Sequence, residues 1–253
     1  QTAEGHGWME IWNLVFMQFD RSLEDGSARL DPLPAPSIDT GMGLERIASV
    51  VQERTSNYDT DLLRALIDRA AAIAGKSYRG TMAPDDVSMR VIADHARTTA
   101  FLVAEGVMPE KTGREYVLRR VMRRAIRHGH RLGIARPFLH EIALEVVGLM
   151  GDQYPELRER RDLIASVTEQ EEVRFRATIE RGLGLLEEHF AALGAEGRRE
   201  LDGRSAFTLY DTFGFPVDLT EVICAERGLT VDREGFERAL GEDPGRRLRT
   251  VQP

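Results

Sequence analysis

Residues 37–47 read Ser-Ile-Asp-Thr-Gly-Met-Gly-Leu-Glu-Arg-Ile, and the chain changes its periodicity inside this stretch. Before it, Asp31-Pro32-Leu33-Pro34-Ala35-Pro36 keeps the backbone extended, because each proline fixes φ and removes an amide donor. After Gly43, Leu44, Ile47, Val50 and Val51 recur at the spacing of a helix. An extended segment therefore meets a helix at Gly41-Met42-Gly43, where glycines let a planar or phosphorylated ligand approach the backbone and the helix start offers free amides. Arg46 falls in the first helical turn, where a cation opposes the helix dipole, so its position implies an external anion or a nearby carboxylate. Asp39 could hold an ammonium group in the same pocket. An ordinary glycine turn with Asp39 as its cap accounts for the same residues.

Upstream, residues 9–19 (MEIWNLVFMQF) are too continuously apolar for a surface helix and predict a buried strand. Alternation puts Ile11, Asn13, Val15, Met17 and Phe19 on one face and Trp12, Leu14 and Phe16 on the other. Asp25-Gly26 is a hairpin signal, giving strand, turn and extended return. Downstream, the periodicity predicts helices over 58–75, 86–105, 113–129, 138–150, 155–193, 216–227 and 233–241. In the longest, Glu172 and Arg176 form an i,i+4 pair, while Gly182 and Gly184 leave open one strut or two helices. The expected class is α+β, with the β-containing part ending near residue 55.

The chain has 253 residues, 42% of them hydrophobic, which suffices for a core, and a formal net charge of -8. No apolar run is long enough to cross a membrane, and the first residues lack the pattern of a signal peptide, so a cytoplasmic location is expected. Without an initiator methionine, the chain is expected to be a piece of something longer. Cys224 is the single cysteine and, in the amphipathic setting VICAERG, reads as a buried, inert thiol. His6, His95, His128, His130, His140 and His189 make no His-Glu-x-x-His motif, and no structural metal site is expected. His95 shares a helical side with Ile92, Ala96, Thr99 and Val103 and reads as a satisfied core histidine.

Against the acidic balance, residues 114–131 (REYVLRRVMRRAIRHGHR) hold seven arginines and one acid. On a helix, Val117, Leu118, Val121, Met122, Ala125 and Ile126 form a packing side, and Arg119, Arg120, Arg123, Arg124 and Arg127 form the other. So much like charge needs acidic neighbours or a polyanion. Either the arginines are bridged to glutamates, or this side is free to meet nucleic-acid phosphate.

IDTGMGLERI resembles motif 3 of class II aminoacyl-tRNA synthetases. Together with EIWNLVFMQF, RVIADHARTTAFLVAEGVMP, GREYVLRRVMRRAIRHG and LYDTFGFPVDLTE, it makes the chain from about Glu10 to Leu240 resemble the alanyl-tRNA synthetase family. The resemblance implies the C-terminal part of an antiparallel class II catalytic sheet (1–55, with motif 3) and a mainly α-helical tRNA-recognition domain (56–245), while the last residues lack apolar periodicity and are expected to form a frayed tail (246–253). It implies that Arg46 contacts ATP phosphates, that Gly41 and Gly43 line the adenylate site, that Asp39 holds the alanine ammonium and that Asn13 and Val15 line the amino-acid pocket. For the helical part it implies contact with the acceptor stem of tRNA(Ala) and its G·U pair through Lys111, Arg114, Asp211 and the arginine helix. Asp211, in Leu209-Tyr-Asp-Thr-Phe-Gly-Phe-Pro216, otherwise belongs to a loop leading into a helix. Lys111, in Pro109-Glu-Lys-Thr-Gly-Arg-Glu-Tyr116, stands where a commoner form of the family has asparagine, and lysine donates hydrogen bonds without accepting them. The implied substrates are alanine, tRNA(Ala) and ATP with Mg²⁺, and the implied partner is the remainder of the synthetase chain. Motifs 1 and 2 lie elsewhere in the family, so these residues alone are expected to be inactive. The alternatives are a noncatalytic tRNA-binding module, or a helical scaffold whose arginines are committed to its own glutamates.

Overall fold

The computed structural model describes residues 9–24, 27–111, 113–213 and 215–242. The Asp25-Gly26 hairpin signal, His6 and the 246–253 tail lie outside them. The chain divides into two compact units, Gln1–Ala65 and Leu66–Pro253.

In the first unit, β1 (Trp12–Glu24) and β2 (Ser27–Met42) form an antiparallel ribbon, and α1 (Leu44–Val51) follows β2 directly. The pairing register shifts between Met17 and Phe19. The ribbon corrects the expectation of a buried strand: Trp12, Leu14, Val15, Phe16 and Phe19 are all more than half exposed. Two strands bury neither face of a sheet, so apolar residues on both sides of β1 remain uncovered among the described residues. After a 3-10 turn at Asn57–Asp59, α2 (Asp61–Ala74) leads into the second unit.

The second unit is built on α3 (Pro84–Ala104), α4 (Glu115–Arg131), α5 (Leu139–Met150) and α7 (Arg161–Glu196), with a single-turn α6 (Pro155–Glu159) before α7. Met89, Ile92, Ala93, Ala96, Ala100 and Val103 form a fully buried stripe on α3, and its small alanines admit α4 closely. From α4, Leu118, Met122, Ala125 and Ile126 meet that core, while Val117 of the expected packing side is exposed. Gly129 of α4 is required by contact, since a Cβ there would lie 2.2 Å from the Phe138 ring. Ahead of α3, the buried Asp86 carboxylate accepts hydrogen bonds from the amides of Arg79 and Thr81 and from the Thr81 hydroxyl, closing the preceding loop.

The segment expected as one helix over 155–193 is divided at Arg160 into α6 and α7, away from the two glycines, and α7 then continues through both Gly182 and Gly184. Gly182 does not interrupt the helix; its missing side chain gives the Phe215 ring room to pack on α7. Glu171 and Glu172 of α7 are buried carboxylates. Glu172 accepts from the amides of Phe138 and Leu139 at 2.9 and 2.8 Å, capping α5 from another helix, and pairs with Arg176 at 2.8 Å as its spacing predicts.

The sequence reading missed a helix, α8 (Gly203–Asp211), whose start is capped by Asp202 through the Ser205 amide. Leu209-Tyr-Asp211 is thus the end of a helix, and only the residues after it form the loop leading into α9 (Val217–Glu226). Short strands β3 (Glu200–Leu201) and β4 (Thr230–Val231) pair in parallel, and α10 (Arg233–Glu242) packs on α8, where Gly203 leaves no room for a Cβ against the backbone of Phe236.

A Cβ at residue 182 would lie 2.4 Å from the Phe215 ring, so Gly182→Ala should destabilise the fold by roughly 1–3 kcal/mol. Gly184 has nothing within 4 Å of such a Cβ, and Gly184→Ala should stabilise α7 by about 0.5–1 kcal/mol. Thermal unfolding of both variants checks this; a Gly182→Ala protein melting with the wild type would show that the Phe215 seat does not matter.

Candidate functional site

The residues singled out around the glycine turn gather at one end of the ribbon. The β1–β2 register sets Asn13 opposite Gly41 and Val15 opposite Asp39, so all four lie on one face. The Gly41 amide donates to Asn13 Oδ1 at 3.0 Å, and the Gly43 amide donates to the Ile11 carbonyl at 3.1 Å. Gly43 is extended (φ -79°, ψ 112°), and neither glycine has positive φ. Space, not turn geometry, is what they provide. A Cβ on Gly41 would meet Asn13 Oδ1 at 3.0 Å, and one on Gly43 would meet the Arg46 side chain at 3.2 Å.

Arg46 projects from the first turn of α1, and its Nη1 donates to the Glu10 carbonyl at 2.7 Å. A backbone oxygen, not a carboxylate, thus holds the guanidinium in place. Asn13, Val15, Asp39, Gly41 and Arg46 are all exposed. The arrangement presents one carboxylate, one guanidinium and a glycine-flattened strand edge, a set suited to a ligand bearing both ammonium and phosphate.

On α4 the expectation of one free arginine face is corrected, because each Arg-Arg doublet divides. The first members, Arg119 and Arg123, turn inward and donate through Nε to the same buried Glu171 oxygen at 2.9 and 2.8 Å. The Arg123 guanidinium also lies over the Phe175 ring, 4.7 Å from its centroid. Arg127, four residues further on, is buried and bonded to Glu226, which also takes Arg131 at 2.8 Å. Burial lowers the pKa of Arg123 and Arg127 from the ordinary arginine value, with Glu171 and Glu226 acting in opposition. The second members, Arg120 and Arg124, stay exposed. Arg120 pairs with Asp218 of α9 at 2.9 Å, whereas Arg124 has no hydrogen bond or ion pair among the described residues.

Lys111, Arg114 and Asp211 are exposed, the last at the end of α8. Tyr116, in the first turn of α4, is half-buried, which raises its phenol above its ordinary pKa, and Tyr210 and Asp218 add to the rise. The sequence reading did not single out Glu171, Asp218 or Glu226; the doublet pattern was visible, but not which acids face it. His95 Nδ1 meets Asp94 Oδ2 at 2.9 Å, so that histidine has a partner, as expected of a packed one. Cys224 is buried, and burial, then Glu221, pushes its thiol up to about 11. Among the described residues no three His, Cys, Asp or Glu side chains gather as a metal site, and no helix is long and apolar enough to cross a membrane.

An antiparallel ribbon ending in a glycine-spaced strand and an arginine-bearing helix, followed by a helical unit, accords with the class II features in the sequence. The sequence model of the family described as tRNA synthetases class II (A) matches residues 1–251, and the chain belongs to that family. It is 66% identical over 245 residues to the alanine–tRNA ligase of Sorangium cellulosum (strain So ce56), covering 96% of this chain and 26% of that protein. It is 54% identical over 253 residues to the alanine–tRNA ligase of Anaeromyxobacter sp. (strain Fw109-5), covering 94% and 28%. The alanine–tRNA ligase of Magnetococcus marinus (strain ATCC BAA-1437 / JCM 17883 / MC-1) is 54% identical over 242 residues, with 96% and 27% covered. The chain thus spans about a quarter of the length of these relatives.

His128 of α4 supplies a pH test of this packing. Its ring meets Ser88 Oγ at 3.0 Å, and burial, reinforced by Arg127, Arg131 and Arg124, lowers its pKa from 6.5 to about 3. The unfolded chain therefore binds the proton first, so the contribution of His128 is complete above pH 6.5 and is lost as pH falls toward about 3. His128→Gln should flatten the fall in melting temperature across that window; an equally steep fall in both proteins would rule His128 out as its source.

Proposed function

We propose that this chain forms part of an alanine–tRNA ligase, an enzyme of protein biosynthesis, working in the cytoplasm with the remainder of the synthetase. The observation that carries this is the gathering of Asn13, Val15, Asp39, Gly41, Gly43 and Arg46 at one ribbon end, in a chain whose relatives are alanine–tRNA ligases.

In this role the alanine carboxylate attacks the α-phosphorus of ATP, giving alanyl-adenylate and releasing pyrophosphate. A hydroxyl of the tRNA acceptor end then attacks the adenylate carbonyl, and AMP leaves. Neither step needs a strong protein base; positioning and charge stabilisation dominate. Asp39 holds the alanine ammonium, and Asn13 and Val15 on the same strand face bound the small side chain. Asn13 also braces the Gly41 amide, which keeps the strand edge flat for the adenylate. Arg46, held by the Glu10 carbonyl, meets ATP phosphates that arrive with Mg²⁺ as substrate.

The helical unit binds the acceptor stem of tRNA(Ala) through the exposed members of the basic set, Lys111, Arg114, Arg120 and Arg124, with Asp211 accepting from a guanine amino group in the minor groove. Arg119, Arg123 and Arg127 support that surface through their carboxylates. The intact site residues favour this role over a noncatalytic RNA-binding module, which has no use for them. These residues alone do not catalyse activation.

The test is alanine-dependent ATP–pyrophosphate exchange by the natural protein that carries this sequence. Asp39→Ala and Arg46→Ala should each lower exchange by at least about a hundredfold, roughly 2.7 kcal/mol of transition-state stabilisation, with melting unchanged. Undiminished exchange in either variant, or exchange dependent on another amino acid, would overturn the assignment.

A further inference from the structure

The site face of the ribbon continues beyond Val15 and Asp39. The register sets Met17 opposite Ser37 as the next pair on that face, so Asn13, Val15 and Met17 of β1 run beside Gly41, Asp39 and Ser37 of β2. This is also the last pair of the regular stretch. Pairing resumes with Phe19 opposite Pro32, which leaves residues 33–36 of β2 facing Gln18 alone. Pro34 and Pro36 have no amide to donate, so the ladder cannot run through them. Irregularities of this kind terminate pairing and re-aim side chains beside sites.

The alanine-binding role proposed above fixes how a ligand lies on this face. An amino acid whose ammonium group rests on Asp39 turns its carboxylate toward Gly41 and Arg46, where the phosphates meet it. Its Cα then carries only a hydrogen and the side chain, and the side chain is left the direction away from the phosphates, toward Val15 and Met17. We infer that Met17 is a specificity-determining residue, whose thioether side chain closes the far end of the amino-acid pocket, so that a methyl group is held and a longer aliphatic side chain is rejected. The inference rests on the ligase reading and deepens it, because it assigns the size limit of the pocket to one side chain.

Three observations support it. Met17 is the diagonal neighbour of Asp39 across the ladder, a separation of about 7–8 Å that a long side chain can span. Val15, short and β-branched, bounds the pocket beside the ligand Cα but does not extend to its end, whereas Met17 lies one pleat further, roughly 7 Å along the same strand. Met17 is 40% exposed, against 51% for Val15 and 63% for Phe16, so it is accessible to a ligand. Its unbranched side chain folds over small groups that a rigid residue would miss, and Ser37 opposite is small enough to leave it room along the face. Phe19, two residues on, pairs beyond the irregularity and is not part of this run.

The experiment measures ATP–pyrophosphate exchange with alanine and with 2-aminobutyrate, one methylene longer, in the natural protein that carries this sequence and in its Met17→Ala and Met17→Val variants. The ratio of kcat/KM for alanine to that for 2-aminobutyrate should fall at least about tenfold in Met17→Ala. It should fall at least about threefold in Met17→Val, which shortens the side chain but keeps a strand-favouring residue. KM for ATP should stay within about twofold in both. A structural defect lowers exchange with both amino acids alike and leaves their ratio unmoved, so the ratio separates contact from folding. A wild-type ratio in both variants, or in Met17→Val where Met17→Ala does not fold, would overturn the role of Met17 and leave the ligase reading standing. If the wild type shows no alanine-dependent exchange, the ligase reading fails, and the role of Met17 falls with it.

Discussion

Two adjacent buried carboxylates, Glu171 and Glu172, hold α7 to the rest of the helical unit. Neighbouring positions on a helix point about 100° apart, so one carboxylate reaches α4 while the other reaches the start of α5. Each is buried with its partners in place: Arg119 and Arg123 for Glu171, the amides of Phe138 and Leu139 and the Arg176 guanidinium for Glu172. Carboxylates so thoroughly desolvated are tolerable only when fully bonded, and removing one side of such a pair typically costs about 3–5 kcal/mol. The pair therefore fixes the rotation of α4 and the placement of α5 together, and other contacts of the unit follow from it.

The fixed rotation of α4 is what separates structural from exposed arginines. Residues 119, 123 and 127 recur every four positions and meet the carboxylates of α7 and α9, while 120 and 124 follow each by one position and emerge at the surface. An acidic protein can thereby display a positive strip without carrying the repulsion of a wholly arginine face. Phe215 secures the other side of the same region, since its ring on Gly182 ties the segment between α8 and α9 to α7, close to Asp218, which pairs with Arg120 of the arginine helix.

The ribbon obeys a different rule. Its site residues are ordered by backbone pairing and by two glycines that make room for Asn13 and Arg46, with little help from packing. Continuous apolarity in β1 signals a strand that needs cover on both faces, and one antiparallel partner supplies none. Exposed Trp12, Leu14, Phe16 and Phe19 show how composition states a requirement for burial that only neighbouring layers can meet.

Local chemistry was enough to determine the β-ribbon, the extended proline segment, the helix beginning after Gly43, most downstream helices and the Glu172–Arg176 pair, because each depends on periodicity or on neighbours within about one turn. Strand parity alone placed Asn13 and Val15 on one face, and the β1–β2 register then set them opposite Gly41 and Asp39. The short α8 was hidden by glycine and serine at its start, and its cap Asp202 lies in a stretch with little apolar period. What the sequence could not settle were choices made by partners far along the chain. Arg119 and Arg120 are chemically identical in sequence, and only Glu171 and Asp218, roughly fifty and a hundred residues away, decide which is internal and which is exposed. Gly182 likewise reads as a helix breaker until Phe215 is seen resting on it. Side-chain direction around a helix is known from sequence, but the layer that meets each direction is a property of the tertiary structure alone.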